Sequence, residues 1–200
     1  MVFVHDGVTH LVMETISGDT LEAVAFTMQS AARQKTAEQL RAAVDQLQSL
    51  TSKFPCLGGQ IYYGQWPGKP FAPHSRRFPD TVPAFSSFND LLRYVLPSDS
   101  DVELFNTLET GLNAQDTRPV LTHGDLVPHN IMVDEASGDI LAILDWEMFG
   151  WYPAFWDRML VLTCCGQRRL HDALQPAFGG VLEEHLRLFA WKVLDLIPGF

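Results

Sequence analysis

The segment Leu121–Trp146, LTHGDLVPHNIMVDEASGDILAILDW, decides the interpretation of this chain. It contains two aspartates, Asp125 and Asp145, and one asparagine, Asn130, each beside an apolar run typical of a β-strand. The residues DEASGD between the two later runs predict a hairpin loop. Because the two open ends of a hairpin lie close together, we expect Asn130 and Asp145 to meet there.

These three polar side chains have the chemistry that phosphoryl transfer requires. One carboxylate must accept the proton of a substrate hydroxyl, and a second must hold Mg2+, which prefers hard oxygen ligands that include amide oxygens. The interval from His123 through Asp125 to Asn130 reproduces the His-x-Asp-x-x-x-x-Asn spacing of a kinase catalytic loop. This spacing favours a shared cleft over the alternative that Asp125 and Asp145 are only turn or cap residues.

Two other interpretations of nearby residues are weaker. His123, Asp125 and His129 could suggest a zinc site, but no fourth ligand stands nearby, and His129 is interpreted as a loop residue. The sequence GQWPGK at 64–69 looks like a phosphate-binding loop. It is too short, and Pro70 stands where serine or threonine is needed.

The N-terminal quarter combines a small β element with helices. A hairpin is predicted around Asp6 and Gly7, which separate two apolar runs. A turn at Ser17–Asp19 is expected to supply the N-cap of a helix whose apolar stripe follows it. The clearest helix of the chain is predicted to begin at a Ser30 cap. Its buried face is expected to contain Leu40, Val44, Leu47 and Leu50.

The rest of the chain predicts an α-rich α+β domain, because helical periodicity surrounds a small β insert. Glycines and prolines make residues 55–83 a long loop, which is usually functional or loosely ordered. Strands are expected at 120–122, 131–133 and 140–144, and helices at 88–96, 101–112, 154–165, 169–177 and 181–196.

Composition limits the class of protein. The length of 200 residues suits one domain, and 46% apolar residues suffice for a core. The sequence shows no membrane-length apolar run and no signal peptide, so we expect a cytoplasmic protein. A net charge of −10 argues against nucleic-acid binding and is compatible with a cationic substrate. Cys56, Cys164 and Cys165 are expected to be reduced thiols.

The two segments LTHGDLVPHNIMVD and ILAILDWEMFGWYPAFWD resemble the signature motifs of the aminoglycoside phosphotransferase and choline kinase family, most closely its fungal members. This family is a branch of the protein-kinase-like fold. His-Gly-Asp replaces the His-Arg-Asp of protein kinases, and Asp-Trp-Glu replaces Asp-Phe-Gly. HLVMETISGDTL is similar to the family's hinge, and residues of about 55–88 are similar to its substrate-side insert.

The resemblance covers nearly the whole chain and implies one domain over 1–200. Residues 1–14 would form a remnant of the N-terminal lobe and the hinge, and residues 15–200 the α-rich C-terminal lobe. The resemblance further implies that Asp125 is the catalytic base, and that Asn130 and Asp145 bind Mg2+. His123 would brace the catalytic loop, and Asp157 would be structural.

The same resemblance implies ATP as cofactor and a small-molecule substrate. The backbone groups of Glu14 and Ile16 would contact adenine, and Glu147 would supplement the metal ligands. In the family, a glycine-rich loop and a strand lysine precede the hinge and hold the phosphates. Residues 2–13 contain no lysine, and their one glycine, Gly7, belongs to the predicted hairpin.

Three functions therefore stay open. The first is an ATP- and Mg2+-dependent phosphotransferase that acts on a small-molecule hydroxyl. The second is a kinase-like protein that binds a ligand or performs acid–base chemistry. The third is a truncated pseudoenzyme or scaffold. In each case, apolar residues of the first hairpin are expected to leave an exposed strand edge that favours self-association or a partner chain. These residues are Val2, Val4, Leu11 and Met13.

Overall fold

Helices provide most of the regular structure, as the apolar periodicity predicts. The computed structural model describes residues 1–50, 64–65, 85, 87–166, 168–179 and 183–194. The helices of these residues are α1 (Leu21–Val24), α2 (Ser30–Ser49), α3 (Phe88–Val95), α4 (Val102–Gly111), α5 (Ala114–Thr117), α6 (Trp156–Thr163), α7 (Arg168–Ala177) and α8 (Glu184–Leu194).

The strands of the described residues form small antiparallel sheets between the helices. They are β1 (Val2–His5), β2 (Val8–Leu11), β3 (Asp19–Thr20), β4 (Gly64–Gln65), β5 (Pro119–Thr122), β6 (Ile131–Val133), β7 (Ile140–Ile143) and β8 (Gly150–Pro153). The sheet orders are β1-β2, β3-β6-β7 and β4-β8-β5. The prediction of an α-rich α+β fold is confirmed. The strand β8, which pairs with β5 along its whole length, was not predicted.

The core lies where the long helices meet the β5-β8 sheet. Helix α2 packs against α7 and β5, and α8 packs against α4 and α6. Leu40, Leu92, Leu108, Leu160 and Phe189, from five different helices, are each 0% exposed. Burial of such side chains is the main favourable contribution to folding.

Two predicted helix caps are wrong. The N-cap of α1 is Thr20, whose side chain accepts a hydrogen bond from the Ala23 backbone, rather than a residue of Ser17–Asp19. Asp19 and Thr20 pair with β6, so the chain is still extended there. Ser30 is the first residue of α2 rather than its cap, and Gln29 precedes it without a side-chain cap hydrogen bond.

The predicted apolar face of α2 is buried only in its first part. Leu40 and Val44 are buried, whereas Leu47 is half-buried and Leu50 is 39% exposed. The last two residues line an open cavity of about 490 Å3 that also borders His123. The C-terminal end of α2 therefore borders the predicted catalytic segment rather than the helical core.

The first hairpin forms as predicted. Asp6 and Gly7 have φ values of 49° and 76°, the left-handed pair that a tight two-residue hairpin turn requires. Val2 and Leu11 are 67% and 61% exposed, so apolar side chains lie on the surface of this hairpin. A partner for this edge stays a prediction.

Part of the sequence interpretation falls outside the described residues. Cys56 lies there, as do most of the loop at 55–83 and of the GQWPGK segment. Cys164 and Cys165 carry free thiols. Among the helices of the described residues, none is both long and apolar enough to cross a membrane.

The core position of Leu40 gives a stability prediction. We expect Leu40→Ala to lower the free energy of unfolding by about 2–5 kcal/mol, because the substitution removes buried atoms and leaves a cavity. Leu188→Ala is the control, because Leu188 is 48% exposed, and its effect should stay within about 0.5 kcal/mol. Urea unfolding measures both, and equal effects would show that α2 does not contribute to the core as described.

Candidate active site

The hairpin of β6 and β7 brings two predicted metal ligands to one end. Ile131 pairs with Ile143 at the open end of the ladder. Beyond this pair, the Leu144 backbone N–H donates to the Asn130 carbonyl oxygen at 2.8 Å. Asp145 follows Leu144 directly, so Asn130 and Asp145 lie at the same edge, as the sequence predicts.

Asn130 is joined to Asp125 by its side chain. Its amide nitrogen Nδ2 donates to the Asp125 carboxylate oxygen Oδ2 at 2.9 Å and to the Asp125 carbonyl oxygen at 3.0 Å. Asp125 and Asn130 are only 8% and 5% exposed. Because Nδ2 faces Asp125, the amide oxygen Oδ1 lies on the other side of the group, where it can serve as a ligand.

Asp145 has a strained backbone. Its φ and ψ are 61° and 63°, a left-handed conformation that costs a non-glycine residue about 1–2 kcal/mol. The Leu144 hydrogen bond to Asn130 precedes it, and the Trp146 indole N–H donates to the Ile143 carbonyl at 2.7 Å. These bonds hold the residues on both sides, and the Asp145 side chain remains exposed.

His123 connects the loop to the end of the hairpin. Its Nδ1 accepts a hydrogen bond from the Asp125 backbone N–H at 3.2 Å, so Nε2 carries the proton that it donates to the Leu144 carbonyl at 2.8 Å. Burial lowers the pKa of His123 below its usual 6.5, which favours this neutral tautomer. The Trp146 ring lies against the imidazole, with 4.6 Å between ring centroids.

Asp157 holds the start of the loop from α6. Its Oδ2 accepts the His123 backbone N–H at 3.0 Å, and its Oδ1 accepts the Gly124 N–H at 3.1 Å. The side chain is fully buried, and this desolvation raises its pKa to about 7, although the two hydrogen bonds lower it. The ionised carboxylate can accept both hydrogen bonds, whereas a proton on either oxygen would lie against a backbone N–H group.

Three residues of this site were not predicted from the sequence. The Trp156 indole N–H donates to the Gly124 carbonyl at 3.0 Å, and the buried Tyr152 hydroxyl donates to the Met148 carbonyl at 3.0 Å. Gly124 has a φ of 87°, and a Cβ atom there would collide with the Met148 carbonyl. The sequence carried one signal of this close approach, the glycine between His123 and Asp125, at a position where protein kinases have an arginine.

The predicted hinge residues share no hydrogen bond with this cluster. Glu14 is exposed and Ile16 is half-buried, in a segment without regular secondary structure. The backbone groups of residues 13–17 make no hydrogen bond to another described residue. Gly18 then approaches the hairpin closely, because a Cβ atom there would lie 2.7 Å from the Val133 carbonyl oxygen.

The oxygen atoms of this site fit a metal that arrives with phosphates. Asn130 Oδ1 and the Asp145 carboxylate are hard ligands, which suits Mg2+. Within the described part of the chain, no three His, Cys, Asp or Glu side chains form a metal-binding group. Mg2+ in such sites usually binds one or two carboxylates, with substrate phosphates and water as its other ligands.

The raised pKa of Asp157 predicts a pH-dependent stability. The folded protein holds the Asp157 proton more tightly than the unfolded chain does. The stabilisation that results is fully present below pH 3.8 and is lost as pH rises to about 7. We expect wild-type stability to fall relative to Asp157→Asn by about 4 kcal/mol across that range. Urea unfolding of both proteins at pH 4 to 8 tests this, and a pH-independent difference would contradict it.

The left-handed conformation of Gly124 gives a second prediction. We expect Gly124→Ala to destabilise the protein by more than about 1 kcal/mol, because a side chain there adds both backbone strain and a collision. Gly111→Ala is the matched control, since a Cβ atom at Gly111 meets nothing within 4 Å. Thermal unfolding compares the variants, and a neutral Gly124→Ala would show that the loop can relax.

Comparison with known proteins identifies the family. Residues 10–197 match the family model described as the phosphotransferase enzyme family. No curated protein matches the chain. One similar solved structure is aminoglycoside phosphotransferase APH(3'')-Id from Streptomyces rimosus ATCC10970 in complex with ADP and streptomycin. It shows 17% identity and a TM-score of 0.52, over 92% of this chain and 69% of that one.

Two further structures show the same fold. The GDP complex of aminoglycoside 2'-phosphotransferase-IIIa has 18% identity and a TM-score of 0.57, over 90% of this chain and 59% of that one. A thermostable mutant of APH(4)-Ia has 13% identity and a TM-score of 0.58, over 97% and 67%. The chain thus spans roughly 59–69% of their lengths. It belongs to the phosphotransferase enzyme family and has the kinase-like fold of the aminoglycoside phosphotransferases.

Proposed function

We propose that this protein transfers a phosphoryl group from ATP, with Mg2+, to a hydroxyl group of a small molecule. The observation that carries the proposal is the hydrogen bond from the Asn130 amide to the Asp125 carboxylate, beside Asp145. It joins a buried base to one proposed metal ligand, and the Leu144 N–H bond to the Asn130 carbonyl brings Asp145 to the same edge. Phosphoryl transfer depends on such positioning, because the protein performs little covalent chemistry itself.

Asp125 is proposed as the catalytic base. Its side chain is 8% exposed, so it has little surrounding water, which strengthens its electrostatic interaction with a bound hydroxyl group. The Asn130 amide binds one carboxylate oxygen and thereby fixes the orientation of the group. Such a fixed orientation is what a base that accepts the proton of an attacking hydroxyl requires.

The metal ligands proposed are Asn130 and Asp145. Mg2+ held by them would neutralise charge on the phosphate oxygens. The strained backbone of Asp145 supports this role, because glycine would adopt the same conformation without that cost. His123 and Asp157 are proposed to act through the loop, since they hold backbone atoms rather than ligand atoms.

The nucleotide is proposed to bind at the hinge. The backbone groups of Glu14 and Ile16 have no hydrogen-bond partner among the described residues. Their N–H groups can donate hydrogen bonds to adenine, and their carbonyl groups can accept them from it. Solved relatives were crystallised with ADP or GDP. We therefore propose that residues 1–14 form the remnant of the N-terminal lobe and the hinge, and that the α-rich part begins at residue 15.

A phosphate clamp is needed for fast turnover. Residues 2–13 contain no lysine, and one electrostatic group of this kind contributes about 10²–10³ in rate. A second candidate function is a kinase-like protein that binds nucleotide without turnover.

Thermal unfolding with nucleotide tests the proposal. We expect Mg2+ with ATP to raise the melting temperature, because a ligand that binds only the folded state at 100 times its Kd adds about 2.7 kcal/mol of stability. Asp145→Ala should reduce the shift to that seen with ATP and EDTA. Glu135→Gln is the control, since Glu135 is an exposed carboxylate in the turn of the same hairpin.

Asp125→Asn separates the two candidate functions. A phosphotransferase should keep its nucleotide-induced shift in this variant and lose transfer to a hydroxyl acceptor. A shift in the wild-type protein with no transfer to any acceptor would favour nucleotide binding alone. The absence of a shift at millimolar Mg2+ and ATP would sink both candidates for this chain.

A further inference from the structure

The turn of the β6-β7 hairpin is bound to one face of α2. Thr36, which is fully buried, donates from its hydroxyl to the Gly138 carbonyl at 2.8 Å. The Lys35 ammonium lies 2.8 Å from the Asp139 carboxylate oxygen Oδ1. Gly138 has a φ of 73°, and a Cβ atom there would collide with the Ala32 carbonyl. The turn and the helix backbone are therefore in direct contact.

Gln39 makes the most specific of these contacts. Its amide nitrogen donates to Asp139 Oδ1 at 2.9 Å, and its amide oxygen accepts the Ile140 backbone N–H at 2.9 Å. The Gln39 amide group therefore bonds at both ends, to the Asp139 side chain and to the backbone of Ile140, the first residue of β7. The hydrogen bonds with Lys35, Gln39 and Ser137 lower the pKa of Asp139 to about 2. The turn thus presents a fixed charge to α2.

The hairpin transmits this contact to its other end. Strand β7 has four residues, a length of about 13 Å at the usual rise per residue. The ladder joins it to β6 from Val133 to Ile131, and β6 pairs on its other edge with β3. The open end carries the bond from the Leu144 N–H to the Asn130 carbonyl. Gln39 holds β7 whereas β3 holds β6, so a shift of β7 against β6 would displace Asp145 relative to Asn130.

We propose that Gln39 is a positioning residue that sets the separation of Asn130 and Asp145 through the β6-β7 hairpin. Its consequence for metal binding rests on the proposed function, whereas the mechanical coupling does not. Lys35 and Thr36 support the same contact from the adjacent turn of α2. The face of α2 that contacts the hairpin would thus act on the site without touching any ligand.

Hydrogen exchange of the Leu144 amide tests this coupling in the free protein. We expect Gln39→Ala to increase the exchange rate of this amide about tenfold, because the open end of the hairpin loses local stability. Gln34→Ala is the matched control on the same helix, since the Gln34 amide donates to Glu38 on the exposed face. The control should leave the Leu144 rate unchanged.

A structural role limited to the turn predicts a different pattern. Gln39→Ala would then accelerate exchange at Ile140 alone, and this result would overturn the proposal. The double variant Gln39→Glu with Asp139→Asn exchanges the amide and the carboxylate, so it should restore slow exchange at Leu144. Gln39→Glu alone should not, because it places two carboxylates against each other. These rates are measured without nucleotide or metal, so failure of wild-type ATP binding would remove the proposed function and leave the coupling to be decided by exchange.

Discussion

The arrangement of the site depends on one buried carboxylate. Asp157 accepts the backbone N–H groups of His123 and Gly124, and it comes from α6, a helix of the core. A carboxylate without contact to water is costly, as its pKa of about 7 shows. In return, the first residues of the loop are fixed to a helix of the core, and this contact positions Asp125, the next residue.

The second constraint is backbone conformation. Two residues of the site have positive φ values. Gly124 lies in the loop before Asp125, and Asp145 lies just after β7. Position 124 requires glycine, because its φ is 87° and the Met148 carbonyl leaves no space for a Cβ atom. The Asp145 side chain is exposed, and its left-handed backbone is strained, whereas glycine would adopt this conformation without strain. The carboxylate itself therefore accounts best for this residue type.

The sequence predicts local elements well and distant partners poorly. The β6-β7 hairpin and α2 follow from residues that are neighbours in the chain, so their patterns are visible directly. The Ser30 cap was wrong because several polar residues near a helix start satisfy the same preference, and β8 was missed because its burial depends on pairing with β5. The spacing predicted Asp125, Asn130 and Asp145, but the contact of Asp157 with His123 joins residues 34 apart.

The energetics of these residues bear on the choice between an active site and a scaffold. A scaffold needs neither a buried carboxylate at Asp157 nor a left-handed Asp145, and each lowers stability. Mutation and selection tolerate such costs where function depends on them, since stability and activity compete at catalytic sites. The described residues keep both, together with the Asn130 bond to Asp125. This combination supports the proposed phosphotransferase site over a fold retained only for its shape.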